Sequence, residues 1–320
     1  MYLFFLLLFC TMISSEMIFG IIFIFQMCTG LMGNFLLFLI YMYIFLILPH
    51  KKKPADVILA HLTFANTLSL IFRGVPNIMS SFGVSPEIGD VGCKAVFYVQ
   101  RVTRGISLYT TSLQSTFQAV TLTPSDSKWV WLKPKISTLI QPSLLCAWIM
   151  NMVIYTMVIL EYIARRNATE ASLQPIAVPC ETITQNPHID AMFLSTIFIR
   201  DLFFLSLMTC NSIYILNILF KHHKTAQHVR STTHSSQDSP EKKAARLILT
   251  LVTGFVFFYW INTFLTVYLF VIKNTSWQLE KFGNFIASCY PSICPFLLIK
   301  NENRIYRINY IKTRIRIFSS

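Results

Sequence analysis

Between Met17 and Ile47 the chain contains no Asp, Glu, Lys or Arg. A run of that length is more than the roughly 20 apolar residues a helix needs to cross the hydrocarbon core of a bilayer. Further runs of the same kind follow, at about 55–79, 93–118, 136–160, 191–220, 246–272 and 282–299. The run at 93–118 is the least apolar, diluted by Arg101, Arg104, Gln114 and Gln118. Lipid offers no hydrogen-bond partners to a backbone, so each run is expected to be helical throughout. Composition agrees. Charged residues are 13% of the 320, hydrophobic residues 54%, and mean hydropathy is +0.56. Soluble domains carry about 25% charge, so this chain cannot cover a water-facing surface of ordinary size. A soluble enzyme, a disordered chain and a nucleic-acid module are excluded, despite a net charge of +13.

The placement of the basic residues sets an orientation. Lys51–Lys53, then Lys128, Lys133 and Lys135, then the cluster from Lys221 to Arg246, then the tail from Lys300 to Arg316 fall in alternate connections. The intervening connections hold only Lys94, Arg165, Arg166, Lys273 and Lys281. Cytoplasmic loops hold the excess of Lys and Arg. The expected fold is therefore an all-α membrane protein, a seven-transmembrane helix bundle with its N-terminus outside and its C-terminus cytosolic. Residues 1–16 form an extracellular segment, 17–300 the bundle, and 301–320 a short basic cytoplasmic tail. The apolar stretch Met1–Cys10 lacks a basic flank and a cleavage site and is not read as a signal peptide. Met12 and Met17 are alternative starts. The polar stretch 221–245, rich in Ser and Thr, reads as a mobile cytosolic loop. The positive charge faces anionic lipid and a docking partner rather than nucleic acid.

Six of the eight cysteines sit in apolar runs and read as buried residues. Cys93 and Cys180 lie in polar connections on the outer side, where disulfides persist, and are expected to pair. The sequons Asn167-Ala168-Thr169 and Asn274-Thr275-Ser276 also fall outside. Asn167, in a long loop, is the expected glycan site, whereas Asn274 lies too close to the membrane. No metal-ligand spacing, nucleophile motif or phosphate loop is present, so no metal, cofactor or enzyme activity is expected.

Charges inside a span are costly and mark function or pairing. Arg101 and Arg104 share one face of span 3. At a rise of about 1.5 Å per residue they lie roughly 12 and 17 Å below Cys93. Asp201, beside Arg200 about 15 Å below the outer end of span 5, is the acid set deep in a span. Two readings stand: an interhelical pair of Asp201 with Arg101 or Arg104 at a cavity floor, or a structural lock with Arg101 reaching the outer surface. His61 and Asn66 on span 2 are expected to hydrogen-bond between helices. Pro291 and Pro295 kink span 7.

An ordered set of motifs resembles the type 1 vomeronasal receptor family of G-protein-coupled receptors. These are His61-Leu62-Thr63-Phe64-Ala65-Asn66, then Gly92-Cys93-Lys94 followed by Phe97-Tyr98 and Arg101-Val102-Thr103-Arg104-Gly105, and Phe117 through Pro124. Ser239-Pro240-Glu241 and Cys289 through Phe296 continue the likeness over nearly the whole chain. Gly33-Asn34 and Trp148 look like the wider rhodopsin-like class. Departures from that class are Thr123-Pro124-Ser125 where an acidic-Arg-aromatic triplet is usual, Asn66 in place of an aspartate, and no Asn-Pro-x-x-Tyr on span 7. These also shade toward bitter-taste receptors. The resemblance implies a plasma-membrane pheromone receptor of chemosensory neurons, binding a small semiochemical in the outer half of the bundle and activating an inhibitory-class heterotrimeric G protein. Its implied pocket residues are Phe97, Arg101, Arg104, Phe198, Asp201, Tyr268 and Tyr290. A seven-span transporter or channel is the competing class. It favours inverted repeats and broken half-helices, which the sequence does not display.

Overall fold

The computed structural model describes the backbone of residues 2–84, 89–125, 127, 130–164, 180–182, 187–229, 240–271 and 277–301, with side chains described mainly from Met17 onward. The elements in chain order are α1 (Tyr2–Ile47), α2 (Pro54–Ser81), α3 (Asp90–Leu122), α4 (Lys133–Ile154), α5 (Thr156–Glu161), β1 (Tyr162–Ala164), β2 (Cys180–Thr182), α6 (Pro187–Val229), α7 (Pro240–Val271) and α8 (Trp277–Asn301). Among the described residues, five helical stretches are long and apolar enough to cross a membrane: Met17–Ile47, Pro54–Ser81, Val130–Ile159, Ala191–Lys221 and Lys281–Lys300. The apolar part of α7, Leu249–Leu265, is shorter.

Three boundaries differ from the sequence reading. Residues 2–16 of the expected extracellular segment 1–16 are helical and continuous with the rest of α1. The expected loop 221–245 narrows, because α6 runs on to Val229 and α7 begins at Pro240. The fourth span is two helices, since the chain leaves α-geometry at Tyr155 before α5 begins. Strands β1 and β2 form a short antiparallel ribbon, with Ala164 opposite Cys180. Asn167, Asn274 and the tail from residue 302 lie outside the described residues.

The polar helix α3 touches α2, α4, α6 and α7. Its Thr103, Ser107, Thr110, Thr111, Gln114 and Ser115 are buried. A span too polar for lipid is stable when other helices surround it, because its hydroxyls then bond to protein. The outward faces are apolar instead, as at Phe25, Met32, Phe35 and Leu46 on α1. His61 and Asn66 do bond across helices. Trp148 Nε1 donates to His61 Nδ1 at 3.1 Å, and Ser107 Oγ donates to Asn66 Oδ1 at 3.0 Å.

Local chemistry sets the ends. Pro54 opens α2, and the Lys53 amide donates to the Asp56 carboxylate at 2.8 Å. The helix closes at Gly83, whose φ of 69° is the left-handed geometry a glycine adopts at no cost.

The contact of α1 with α8 shows how a proline is tolerated in a span. Pro295 has no N–H to give the carbonyl of Pro291. Asn34 Nδ2, on α1, donates to that carbonyl at 2.8 Å. The approach is close because a β-carbon at Gly33 would fall 2.8 Å from the Pro295 ring, and one at Gly30 would fall 2.8 Å from Ser292 Oγ. Replacing Asn34 by Leu strands a buried carbonyl, a loss of about 1–3 kcal/mol. The expected outcome is a melting temperature lowered by several degrees for the purified chain. Thr29→Val removes a hydroxyl bonded only within α1 and should leave that temperature nearly unchanged.

Candidate functional site

The α6 seam that faces the bundle includes Asp201, Leu205 and Met208, all buried. Asp201 is 9% exposed. Its ion-pair partner is its own neighbour, Arg200, at 2.6 Å from Nη2 to Oδ1, with Nε 3.0 Å from the same oxygen. Arg200 spends its other donors on the broken fourth span. Nη1 donates to Asn151 Oδ1 at 2.9 Å, and Nη2 to Tyr155 Oη at 2.8 Å. Gly105 on α3 makes room, since a β-carbon there would overlap the Asn151 amide oxygen. The second carboxylate oxygen of Asp201 accepts a hydrogen bond from the Tyr259 hydroxyl on α7.

Arg104 enters this cluster from α3. Its guanidinium lies over the Tyr259 ring, 4.6 Å from the centroid. With the Asn262 amide turned to present its oxygen, Nη1 and Nη2 donate to it at 2.9 and 3.0 Å. Of the two readings left open by the sequence, the direct pair of Asp201 with Arg101 or Arg104 is not what the described residues form. Among the described residues Asp201 pairs with Arg200, and Arg104 reaches it through Tyr259. The adjacent arginine wins because Asn151 and Tyr155 hold its guanidinium against the carboxylate.

Beside the cluster lies a cavity of about 40 Å³ between α2, α3, α7 and α8. Ser69 and Arg73 line it from α2, Arg104 and Ser107 from α3. Phe255, Phe258, Tyr259 and Asn262 line it from α7, and Ile286, Ala287, Tyr290 and Pro291 from α8. One buried water needs about 10–15 Å³ on this measure, and drug-sized ligands fill about 300–1,000 Å³. In this conformation the cavity therefore takes an ion, a few waters or one polar group, and a whole organic ligand would need the walls to part.

Of the seven residues implied by resemblance, Arg104 and Tyr290 line the cavity. Tyr290 is buried, edge-on to Phe255 with centroids 4.5 Å apart, and its hydroxyl lies 3.4 Å from Thr111 Oγ1. Asp201 is one side chain away. Phe97 packs against a separate apolar cluster that includes Val102, Ile106 and Ala147, and Arg101 is half-buried a turn from Arg104. Phe198 and Tyr268 are not brought in, being 48% and 52% exposed on the outside of the bundle. Tyr268 follows Tyr259 by nine residues, about 180° around a helix. On α6 the packed residues are Phe193 and Ile197 instead.

Arg73, Tyr259 and Asn262 are the site residues that the sequence reading left out. Arg73 and Asn262 carried a signal, as a charge and an amide within spans. Tyr259 had none that set it apart in an aromatic run. Cys93 is disulfide-bonded, while the side chain of Cys180 lies outside the described residues.

Long apolar helices with their polar residues turned inward define a multi-pass helical membrane protein. The family model described as "Vomeronasal organ pheromone receptor family" matches residues 17–310. The human vomeronasal type-1 receptor 3 is 33% identical over 302 residues, covering 93% of this chain and 95% of that receptor. The gorilla vomeronasal type-1 receptor 1 is 32% identical, covering 93% and 84%. The zebrafish olfactory receptor class A-like protein 1 is 30% identical, covering 89% and 90%. The chain belongs to the type 1 vomeronasal receptor family, a family of receptors and not of enzymes.

The cluster predicts an asymmetry. Asp201→Asn leaves Arg200 as an uncompensated buried charge, which costs about 3–5 kcal/mol, and should sharply reduce the yield of folded monomer. Adding Arg200→Gln should recover part of that yield on gel filtration, whereas adding Arg104→Gln should not.

Proposed function

We propose that the chain is a chemosensory G-protein-coupled receptor of the plasma membrane of vomeronasal-type neurons. It binds a small pheromone-like ligand and activates an inhibitory-class heterotrimeric G protein. The observation that carries this reading is the vomeronasal receptor family match across residues 17–310.

In this reading the seven spans are α1, α2, α3, α4 with α5, α6, α7 and α8. The alternating basic residues support an outer N-terminus and a cytosolic tail at 301–320. Cys180 is the partner of Cys93, tying the β1–β2 ribbon to the head of α3, and Asn167 carries a glycan. The ligand enters the outer half of the bundle among α3, α6, α7 and α8, above a floor that includes Arg104, Asp201 and Tyr290. Phe97 and Arg101 line its path along α3. Phe198 and Tyr268 take part only if α6 and α7 turn inward on binding. Agonist acts by differential affinity for the state with an open cytosolic face, and the basic inner loops then meet the G protein.

The test is nucleotide exchange on an inhibitory-class G protein, in membranes containing the full chain, against a panel of urinary steroids and volatiles. An active compound should stimulate exchange, and Arg104→Gln should raise its half-maximal concentration about tenfold, the loss expected for one charged hydrogen bond. Ion flux or solute uptake without any exchange would assign the chain to transport instead.

A further inference from the structure

We propose that the cavity between α2, α3, α7 and α8 is a binding site for a monovalent anion, ligated by Arg73 and Arg104. Each of the two helices brings one arginine and one serine to the cavity. On α2, Ser69 and Arg73 are four residues apart, and on α3, Arg104 and Ser107 are three apart. Each spacing puts a hydroxyl and a guanidinium on one helix face, and all four residues line the cavity.

Arg73 is the second, independent observation. It is 8% exposed, and its Nε is buried with no hydrogen-bond partner among the described residues. Among the described residues, the charges that act on it are those of Arg104 and Arg101, which are cations. The cavity lining holds two arginines and no Asp or Glu. Asp201 offers no relief, because its oxygens are engaged by Arg200 and Tyr259. Burying a charge without compensation costs several kcal/mol, and within a membrane such groups pair. The missing compensation has the sign of an anion.

The walls narrow its chemistry. About 40 Å³ admits a halide or a single carboxylate head. Phe255, Phe258, Ile286 and Ala287 supply apolar contact on the far side, which suits a weakly hydrated monoanion or the start of a hydrocarbon tail. The shared chemistry is one negative charge held by two guanidinium groups and the Ser69 hydroxyl. Its source is chloride from the medium or the acid group of an organic ligand. The second source rests on the receptor reading above, and the first does not.

The experiment uses the full chain in phosphatidylcholine nanodiscs at fixed ionic strength, with no G protein. Its melting temperature is measured in sodium gluconate, whose polyhydroxylated chain is unsuited to the apolar wall, then in sodium chloride, then in gluconate with millimolar sodium hexanoate. The expected result is a saturable rise of about 3 °C or more with chloride or hexanoate. It should be abolished by Arg73→Gln or Arg104→Gln and partly kept by Arg73→Lys. A rise with chloride alone identifies a resident ion, and a rise with hexanoate at lower concentration than chloride identifies the head-group site of an organic acid. Equal melting in all three media, or a rise that survives both glutamine variants, overturns the proposal. Should the variants not fold, equilibrium binding of radioactive chloride and of labelled hexanoate to the unaltered chain decides, one saturable equivalent supporting the site and none overturning it. A flat result would leave the receptor reading intact, and absent nucleotide exchange beside a clear rise would do the reverse.

Discussion

A carboxylate inside an apolar bundle must be compensated where it stands, and the surroundings of Asp201 show how this chain does it. One oxygen takes two donors from Arg200, and the other takes the Tyr259 hydroxyl. Arg200 passes on to Asn151 and Tyr155, and Tyr259 supports Arg104, which bonds to Asn262. Side chains from α3, α4, α6, α7 and the break before α5 thus meet at one point. Removing any of them exposes another to an apolar interior, where a partly satisfied network is worse than none. The break at Tyr155 fits this constraint, because it sets the phenol where Arg200 needs an acceptor.

The same rule governs smaller seams. Asn34 captures the carbonyl that Pro295 leaves free. Asn211 on α6 reaches Ser115 and Thr116 on α3, and Tyr214 meets Thr123 at the end of that helix. A pair of neutral hydroxyls thus joins the end of α3 to α6. Such a contact is weaker than an ion pair and leaves no buried charge behind when it opens. Movement of α7 relative to α6 is felt first at the Tyr259–Asp201 bond, and through Tyr259 at the cavity wall formed by Arg104.

The helices were legible in the sequence because lipid admits few alternatives. Long uncharged runs have to be helical, whereas Arg101, Arg104, Gln114 and Gln118 made α3 the least apolar run, and its central place among the other helices is seen only in the structure. His61 and Asn66 could be read as interhelical donors or acceptors because an amide or imidazole in a span has little else to do. Partner choice was not legible. Periodicity puts Asp201 on an inner face, but only the position of Asn151 and Tyr155 selects Arg200 over Arg104. Tyr259 looked like its neighbours Phe257, Phe258 and Trp260, because burial against a carboxylate leaves no trace in an aromatic run. Helix ends also escaped, since α6 and α7 continue into polar sequence where no change of composition marks the boundary.

The bond between Tyr259 and Asp201 is the contact on which the whole cluster turns, and a double-mutant cycle measures it. Tyr259→Phe and Asp201→Ala are made singly and together, and the melting temperature of each purified chain is recorded. If the two side chains bond to each other, both single changes break the same contact, and the double variant should melt near the lower of the two singles. Two drops that simply add would mean that the residues act independently, and that the cluster joining α3, α4, α6 and α7 is not one network.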